Sequence, residues 1–259
     1  MKRIVTMYFS PTGTSRKIAE AISGSINEQT GCEIETVDLT EKEARDGTYE
    51  LCPDDLLILG YPVYAGRVPE VLQAPLRRLK GRGTPAVLAA VYGNRDYEDA
   101  LVEGQDILSG EGFSVIGAGA FIGEHSYSQK VAAGRPDETD ILKAQAFGRK
   151  LAEKLEQNRF AKIKIKGNRP YKDPMPDMPF VPKTTEACTD CGICVKKCPM
   201  KVIHKENPRL VEPGCILCSA CVKCCPEDAK FLGAEPILKI KAMLESKFID
   251  RKEPELFLS

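Results

Sequence analysis

The chain has 259 residues with 37 basic and 37 acidic side chains, so its formal net charge is zero. This length predicts roughly two domains, and the charge balance argues against wholesale nucleic-acid binding. The longest apolar runs are far too short to span a bilayer, and no signal-like apolar stretch opens the sequence, so we expect no membrane span.

The first 158 residues alternate β-prone apolar runs with segments of helical periodicity, which predicts a parallel sheet with helices on both faces. The predicted strands are 4–9, 33–39, 56–59, 86–92 and 113–122, and the predicted helices are 14–26, 69–79, 97–109 and 139–156. The residues expected to face inward on the last helix are Ile141, Leu142, Ala146, Leu151 and Leu155. Five strands fit the flavodoxin-like order 2-1-3-4-5 of a doubly wound α/β fold.

The loop after the first strand is rich in hydroxyls and contains one glycine; it reads Ser10-Pro11-Thr12-Gly13-Thr14-Ser15. At a strand-to-helix junction such a loop offers backbone N–H groups and the positive end of a helix dipole to an anion. The alternative is a simple helix N-cap. The pattern resembles the flavodoxin phosphate loop, which implies that Ser10, Thr12, Gly13, Thr14 and Ser15 bind the phosphate of flavin mononucleotide (FMN).

Two aromatic loops follow the third and fourth strands, at the carboxyl ends where doubly wound folds bind ligands. The flavodoxin resemblance implies that these loops contact the flavin ring. The residues concerned are Pro62, Val63, Tyr64, Ala65 and Gly66 in one loop and Gly93, Asn94, Arg95, Asp96 and Tyr97 in the other. By position, Tyr64 and Tyr97 are the expected stacking pair. The alternatives are that both are ordinary loop tyrosines, and that Arg95 and Asp96 belong to a solvated turn.

The loop after the fifth strand contains His125, one of two histidines in the chain. It could gate protons to a reduced flavin, although a hydrogen-bonded loop histidine is the favoured interpretation, so we assign no catalytic residue. We expect His204 at the surface. Cys32 and Cys52 have no partners at ligand spacing and are expected to be inert thiols.

A basic, proline-rich segment over 159–183 is predicted to link two domains. Its first part, 159–172, holds six basic residues and no acid. We expect a semi-extended, solvated hinge, with docking of an acidic partner as the alternative. At the end of the chain, 234–259 carries apolar residues at helical spacing, which predicts a helical tail over the second domain or over its junction with the first.

Two cysteine runs lie in between, within 184–233, and both read Cys-x2-Cys-x2-Cys-x3-Cys-Pro. A cubane iron–sulfur cluster needs four thiolates, and in a two-run arrangement each run gives its last cysteine to the other run's cluster. The predicted ligands are Cys188, Cys191, Cys194 and Cys225 for one [4Fe-4S] cluster, and Cys215, Cys218, Cys221 and Cys198 for the other. Two alternatives are less favoured. A disulfide framework suits small secreted chains, and zinc sites usually show paired Cys-x2-Cys motifs rather than triples closed by Cys-Pro.

This segment resembles bacterial-type two-cluster ferredoxins, with the pairs 202–203 and 210–211 as its short strands. It departs from them in three places. Leu217 and Ser219 stand where glycines are common, and a ninth cysteine, Cys224, adjoins the predicted ligand Cys225.

The chain as a whole resembles flavodoxin–ferredoxin fusion proteins. The resemblance implies an FMN-binding flavodoxin-like domain over 1–158, a linker over 159–183, a small α+β ferredoxin domain over 184–233 and a tail over 234–259. The implied function is electron transfer between two [4Fe-4S] clusters and FMN, with other redox proteins as donor or acceptor. Reduced thiols and oxygen-sensitive clusters lead us to expect the cytoplasm of an anaerobe or facultative anaerobe, and a homodimer is compatible with this interpretation.

Two other functions stay open from the sequence. In an oxidoreductase, the flavin would reduce a small substrate with electrons fed through the clusters. In a redox sensor, the clusters would be structural. No Gly-x-Gly-x2-Gly fingerprint follows the first strand, which argues against a built-in nicotinamide site.

Overall fold

The computed structural model describes residues 1–157, 163–174 and 178–258. The elements are β1 (Arg3–Tyr8), α1 (Thr14–Thr30), β2 (Glu33–Asp38), α2 (Lys42–Asp46), β3 (Tyr49–Glu50), β4 (Leu56–Pro62), α3 (Glu70–Leu76), β5 (Leu79–Lys80), β6 (Thr84–Tyr92), α4 (Ala100–Gly110), β7 (Phe113–Ile122), α5 (Glu138–Glu156), β8 (Lys183–Thr184), α6 (Ile193–Lys197), α7 (Ala220–Lys223), β9 (Lys230–Phe231), α8 (Glu235–Lys247) and β10 (Glu255–Leu258). None of the helices in these ranges is long and apolar enough to cross a membrane.

Six strands form the central sheet in the order β10-β7-β6-β4-β1-β2. All except β10 pair in parallel, and numbering those five along the chain gives the flavodoxin-like order 2-1-3-4-5. The predicted fold class is therefore confirmed. The tail departs from its prediction, because after α8 it returns to the sheet edge and pairs β10 antiparallel with β7.

Helices cover both faces of the sheet. The apolar sides of α1 and α5 share one core, which includes Ile22 and Phe147, and those of α3 and α4 share the other. In α5 the buried positions Ala144, Phe147 and Leu151 recur at spacings of three and four residues, as a helix with one apolar face requires. Leu142 lies off that stripe and is 55% exposed, so its predicted inward orientation is wrong.

The predicted linker is anchored to the sheet domain over 163–172, although most of its described residues are exposed. Ile163 and Ile165 are buried in the core beside α4, because alternation in an extended chain sends the isoleucines inward and the lysines outward. The backbone N–H groups of Asn168 and Lys172 each donate to the Asp99 carboxylate at 2.7 Å. The hinge prediction is therefore wrong for 163–172, while 158–162 and 175–177 lie outside the described residues.

The cysteine-rich segment contains little regular structure. Its strands β8 and β9 form a two-residue antiparallel ladder, and Ile203 bridges Val211, which agrees with the predicted strand pairs. Its buried cluster consists of Cys194, Cys198, Ile203 and Cys221. Three of these four residues are predicted metal ligands, so the predicted ligands make up most of the buried core of this segment.

Candidate functional site

The loop between β1 and α1 has the features of an anion site. Gly13 precedes the helix with φ 86°, and the first turn of α1 contains no acidic residue. The Ser10 hydroxyl accepts the Arg16 backbone N–H at 3.0 Å, which closes the loop on the helix. The Ser15 hydroxyl is buried and has no hydrogen-bond partner among the described residues. An unpartnered hydroxyl at a helix N-terminus fits a phosphate oxygen.

The aromatic loop after β4 is fastened to α4. Arg67 donates to both carboxylate oxygens of Glu103, at 2.7 and 2.8 Å, and the Val68 N–H donates to the same carboxylate at 2.8 Å. This partly buried ion pair holds the preceding residues, including Tyr64, at the carboxyl end of the sheet.

The loop after β6 only partly agrees with its prediction. Tyr97 is buried in the core, where its hydroxyl donates to the Glu255 carboxylate at 2.7 Å. The Asn94 side chain donates to the carbonyls of Phe248 and Asp250, at 2.7 and 2.9 Å. The prediction that Tyr97 stacks on a flavin is wrong, and Asn94 also turns away from the site, because both side chains anchor the returning C-terminal tail.

His125 belongs to the loop after β7 and packs against Gly93, where an added Cβ would lie 2.5 Å from the imidazole Cδ2. Its Nδ1 accepts the Tyr127 backbone N–H at 3.1 Å, so Nε2 carries the proton of the neutral ring. Burial lowers the pKa of His125 to about 4, and the charges of Lys223 and Arg95 act in the same direction. His125 is therefore a neutral N–H donor at physiological pH.

These loops enclose a cavity of about 380 Å³ at the carboxyl ends of the strands, which we call the strand-end cavity. From the predicted flavin loops it is lined by Ser10, Thr12, Thr14, Ser15, Pro62, Val63, Tyr64, Ala65, Gly66, Gly93, Arg95 and Asp96. Its volume lies within the range of small-molecule sites. Twelve of the fifteen predicted positions thus converge on one space, and Gly13 adjoins it at the start of α1.

Parts of the chain that the sequence argument did not assign to this site complete the strand-end cavity. Tyr92 and Tyr127 supply further aromatic rings, and Lys172 and Met178 come from the segment after α5. The sequence signal that could identify Tyr127 is its position as an aromatic residue in the loop after the fifth predicted strand. From the second half of the chain the lining includes Ile216, Leu217, Cys218, Ile240, Met243 and Leu244.

The eight cysteines of the two runs line two small cavities. The first cysteine cavity contains Cys188, Cys191, Cys194 and Cys225, and the second contains Cys198, Cys215, Cys218 and Cys221. This grouping has the crossed arrangement of two-run ferredoxins. Among the described residues, no three histidine, cysteine, aspartate or glutamate side chains form a group that could hold a single metal ion. Ligands of a four-iron cube surround a larger volume than those of one ion.

The second cysteine cavity has a mainly apolar lining around its four thiols. Burial raises the pKa of the Cys218 thiol to about 12 and raises the pKa of Cys215 and Cys221 as well, and nearby Cys198 adds to all three effects. Thiolate ligands must be deprotonated, so these thiols need a positive partner such as bound iron. Ser219 lines this cavity, and its buried hydroxyl has no hydrogen-bond partner among the described residues. A cluster sulfur would accept from it.

Polar contacts join the cysteine-rich segment to the sheet domain. Buried Arg45 donates to the Pro199 carbonyl at 2.5 Å, and Lys223 forms an ion pair with Glu124 in the loop that also holds His125. On the far side of the strand-end cavity, α8 is held by Ser128, whose hydroxyl donates to the Glu245 carboxylate at 2.8 Å. These contacts place both the cysteine-rich segment and α8 over the carboxyl ends of the strands.

Residues 181–204 match the family described as 4Fe-4S binding domain. Similar solved structures include a flavodoxin from the domain Archaea, at 17% identity with a TM-score of 0.39, covering 60% of this chain and 99% of that chain. A flavodoxin of Streptococcus pneumoniae TIGR4 is 15% identical with a TM-score of 0.41 and the same coverage. No curated protein matches the chain.

The strand order and the family match together show which two structural units the chain contains. The chain joins a flavodoxin-like fold to a 4Fe-4S binding domain. This combination supports a general role in redox electron transfer.

Proposed function

We propose that this protein transfers electrons between two [4Fe-4S] clusters and one FMN bound within a single chain. Iron–sulfur clusters of this kind exchange one electron at a time, whereas a flavin holds one or two. The clusters would be held by the two crossed cysteine sets, and FMN by the strand-end cavity.

The observation that carries the proposal is a wall shared by two cavities. Ile216 and Cys218 line both the second cysteine cavity and the strand-end cavity. The Cys215 and Cys218 thiols also lie close enough to Tyr127 to add to the rise of its pKa, which burial brings to about 12. The second cysteine cavity therefore borders the proposed flavin site, whereas the first cysteine cavity shares no lining residue with it among the described residues.

The residues present fit FMN. The α1 N-terminus, Thr12, Thr14 and the unpartnered Ser15 hydroxyl would hold the phosphate. Tyr64 and Tyr127 line the cavity and would offer aromatic faces to the ring system. Neutral His125 supplies an Nε2–H donor and does not add a charge.

The covering of the strand-end cavity favours a carrier over an enzyme. The cysteine-rich segment contributes Leu217, and α8 contributes Ile240, Met243 and Leu244, so apolar side chains from both segments border the space above the strand ends. Such a lining offers a bound cofactor contacts to the protein but few polar groups for a substrate.

Anaerobically purified protein tests the proposal by composition and by rapid mixing. We expect iron and acid-labile sulfide in the ratio of two cubane clusters to one FMN. Reduction by a low-potential donor should bleach the cluster absorbance first and the flavin absorbance afterwards, at a rate that is independent of protein concentration. Protein that carries clusters but binds no FMN, or whose flavin stays oxidised beside reduced clusters, would refute the proposal.

A reductase acting on a small substrate is the second candidate, and one observation favours it. A groove of about 660 Å³, lined by Tyr64, Arg67, Met178, Ile216 and Leu217 among others, borders the same wall. Under this alternative, reduced protein turns over a small molecule steadily, and His125→Ala abolishes that turnover. A carrier shows internal electron transfer that His125→Ala leaves largely intact.

A further inference from the structure

Lys230 is a buried cation that has no acidic partner in the part of the chain that the structure describes. It begins β9, is 2% exposed, and its ammonium donates to the Pro208 carbonyl. Among the described residues, no carboxylate forms an ion pair with it. Burying an ammonium without a counter-charge costs several kcal/mol in general, so this position calls for a negative group that the side chains do not supply.

The surroundings of Lys230 show where that negative group would be. Lys230 lines the first cysteine cavity together with Cys188, Cys191, Cys194 and Cys225. Its charge also lowers the pKa of Cys194 and of Cys221, opposing the burial that raises both. Cys194 and the Lys230 ammonium line the same cavity, so the negative group belongs there.

We propose that Lys230 is an internal counter-ion of the cluster in the first cysteine cavity and raises the reduction potential of that cluster. This inference rests on the proposed two-cluster site. Four thiolates outweigh the positive charge of a cubane core, so each bound cluster is a net anion. Reduction adds one electron from the external donor and changes no bond, so it increases the attraction to a nearby cation.

Burial is what distinguishes Lys230 from the other lysines of this segment. Lys205, for example, is exposed, so solvent and salt screen its charge. Lys205→Met is therefore the matched control: it removes the same charge from the same segment, but at the surface.

The test uses the full chain, purified anaerobically, with reduction of each cluster followed by paramagnetic resonance in a redox titration. In Lys230→Met we expect the equilibrium constant for reducing the first cluster to fall about tenfold, which corresponds to a potential about 59 mV lower. The second cluster should shift less. Lys230→Gln keeps a donor for Pro208 without the charge and should resemble Lys230→Met. Lys230→Arg and Lys205→Met should stay within about threefold of the unaltered protein.

Several outcomes decide whether Lys230 acts as a counter-ion. Unchanged potentials in iron-replete Lys230→Met would refute the counter-ion. Iron loss in both neutral variants but not in Lys230→Arg would support the counter-ion, because only the variant that keeps the positive charge would then retain the cluster. Iron loss in all three variants would show a packing role and refute the counter-ion. The titration does not involve the flavin. Absence of FMN, or of the second cluster, from the unaltered protein would therefore refute the proposed function while the first cluster still tests Lys230.

Discussion

The two cofactor regions differ in what keeps them folded. The strand-end cavity lies at one end of a sheet whose two apolar cores consist mostly of side chains that do not line it, such as Phe121 and Leu88. In the cysteine-rich segment the buried cluster is Cys194, Cys198, Ile203 and Cys221. The strand-end cavity is therefore supported by cores that form largely without it, whereas the predicted cluster ligands make up most of the core of their own segment.

Removing the clusters should therefore have the largest effect. Anaerobic chelation of iron should abolish hydrogen-exchange protection in residues 184–231, because the thiols lose what holds them together. Strands β1, β4 and β6 should keep their protection, and removal of FMN should leave both regions folded. Protection that persists in the cysteine-rich segment after iron removal would contradict this difference between the regions.

The crossed cysteine sets predict the next largest effect, the loss of one cluster. Cys198→Ala should disturb the cluster of Cys215 and Cys221 and spare the other one, although Cys198 belongs to the first run in sequence. Paramagnetic spectra of the reduced variant show which cluster survives. Loss of the cluster held by Cys188 instead would show that the ligands are not crossed.

Cys224 supplies the control for the cysteine experiment. Its thiol lies near Cys194 and Cys225, and burial raises its pKa to about 11. Cys224→Ala should retain full iron, because Cys225 and not Cys224 lines the first cysteine cavity. Loss of about half the iron would show that the two neighbouring cysteines have exchanged roles.

Substitutions in the strand-end cavity should weaken FMN binding without unfolding the sheet. Tyr64→Ala and Tyr127→Ala should each cost about 1 kcal/mol or more through a lost aromatic face, and Ser15→Ala about 1–3 kcal/mol through a lost phosphate hydrogen bond. Fluorescence titration of the apoprotein with FMN measures all three. Tyr97→Phe is the control and should leave the affinity unchanged. Unchanged affinity in the three cavity variants would refute the FMN site.

The smallest effect concerns pH. Because the folded-state pKa of His125 is lowered to about 4, the imidazole is neutral between about pH 5.5 and 8. Over that window the FMN affinities of the unaltered protein and of His125→Gln should vary in parallel. The two curves would diverge near pH 6.5 if the imidazole titrated at its ordinary pKa, and such divergence would contradict its burial.

Local patterns in the sequence determined the elements that depend on near neighbours. The cysteine spacing, the hydroxyl-rich loop before α1 and the alternation of strands and helices each report a short-range requirement. They predicted the five parallel strands and their order, and most of the loops that meet at the strand-end cavity. These features are readable because the residues that form them lie close together along the chain.

Long-range packing decided the rest. Tyr97 and Tyr127 are both aromatic residues in loops after strands, yet only Tyr127 lines the cavity, because Tyr97 donates to Glu255 in a tail more than 150 residues away. The shared wall at Cys218 and the burial of Lys230 likewise depend on how distant segments meet. No periodicity or spacing records such meetings, since they follow from the packing of the whole chain rather than from local conformational preference.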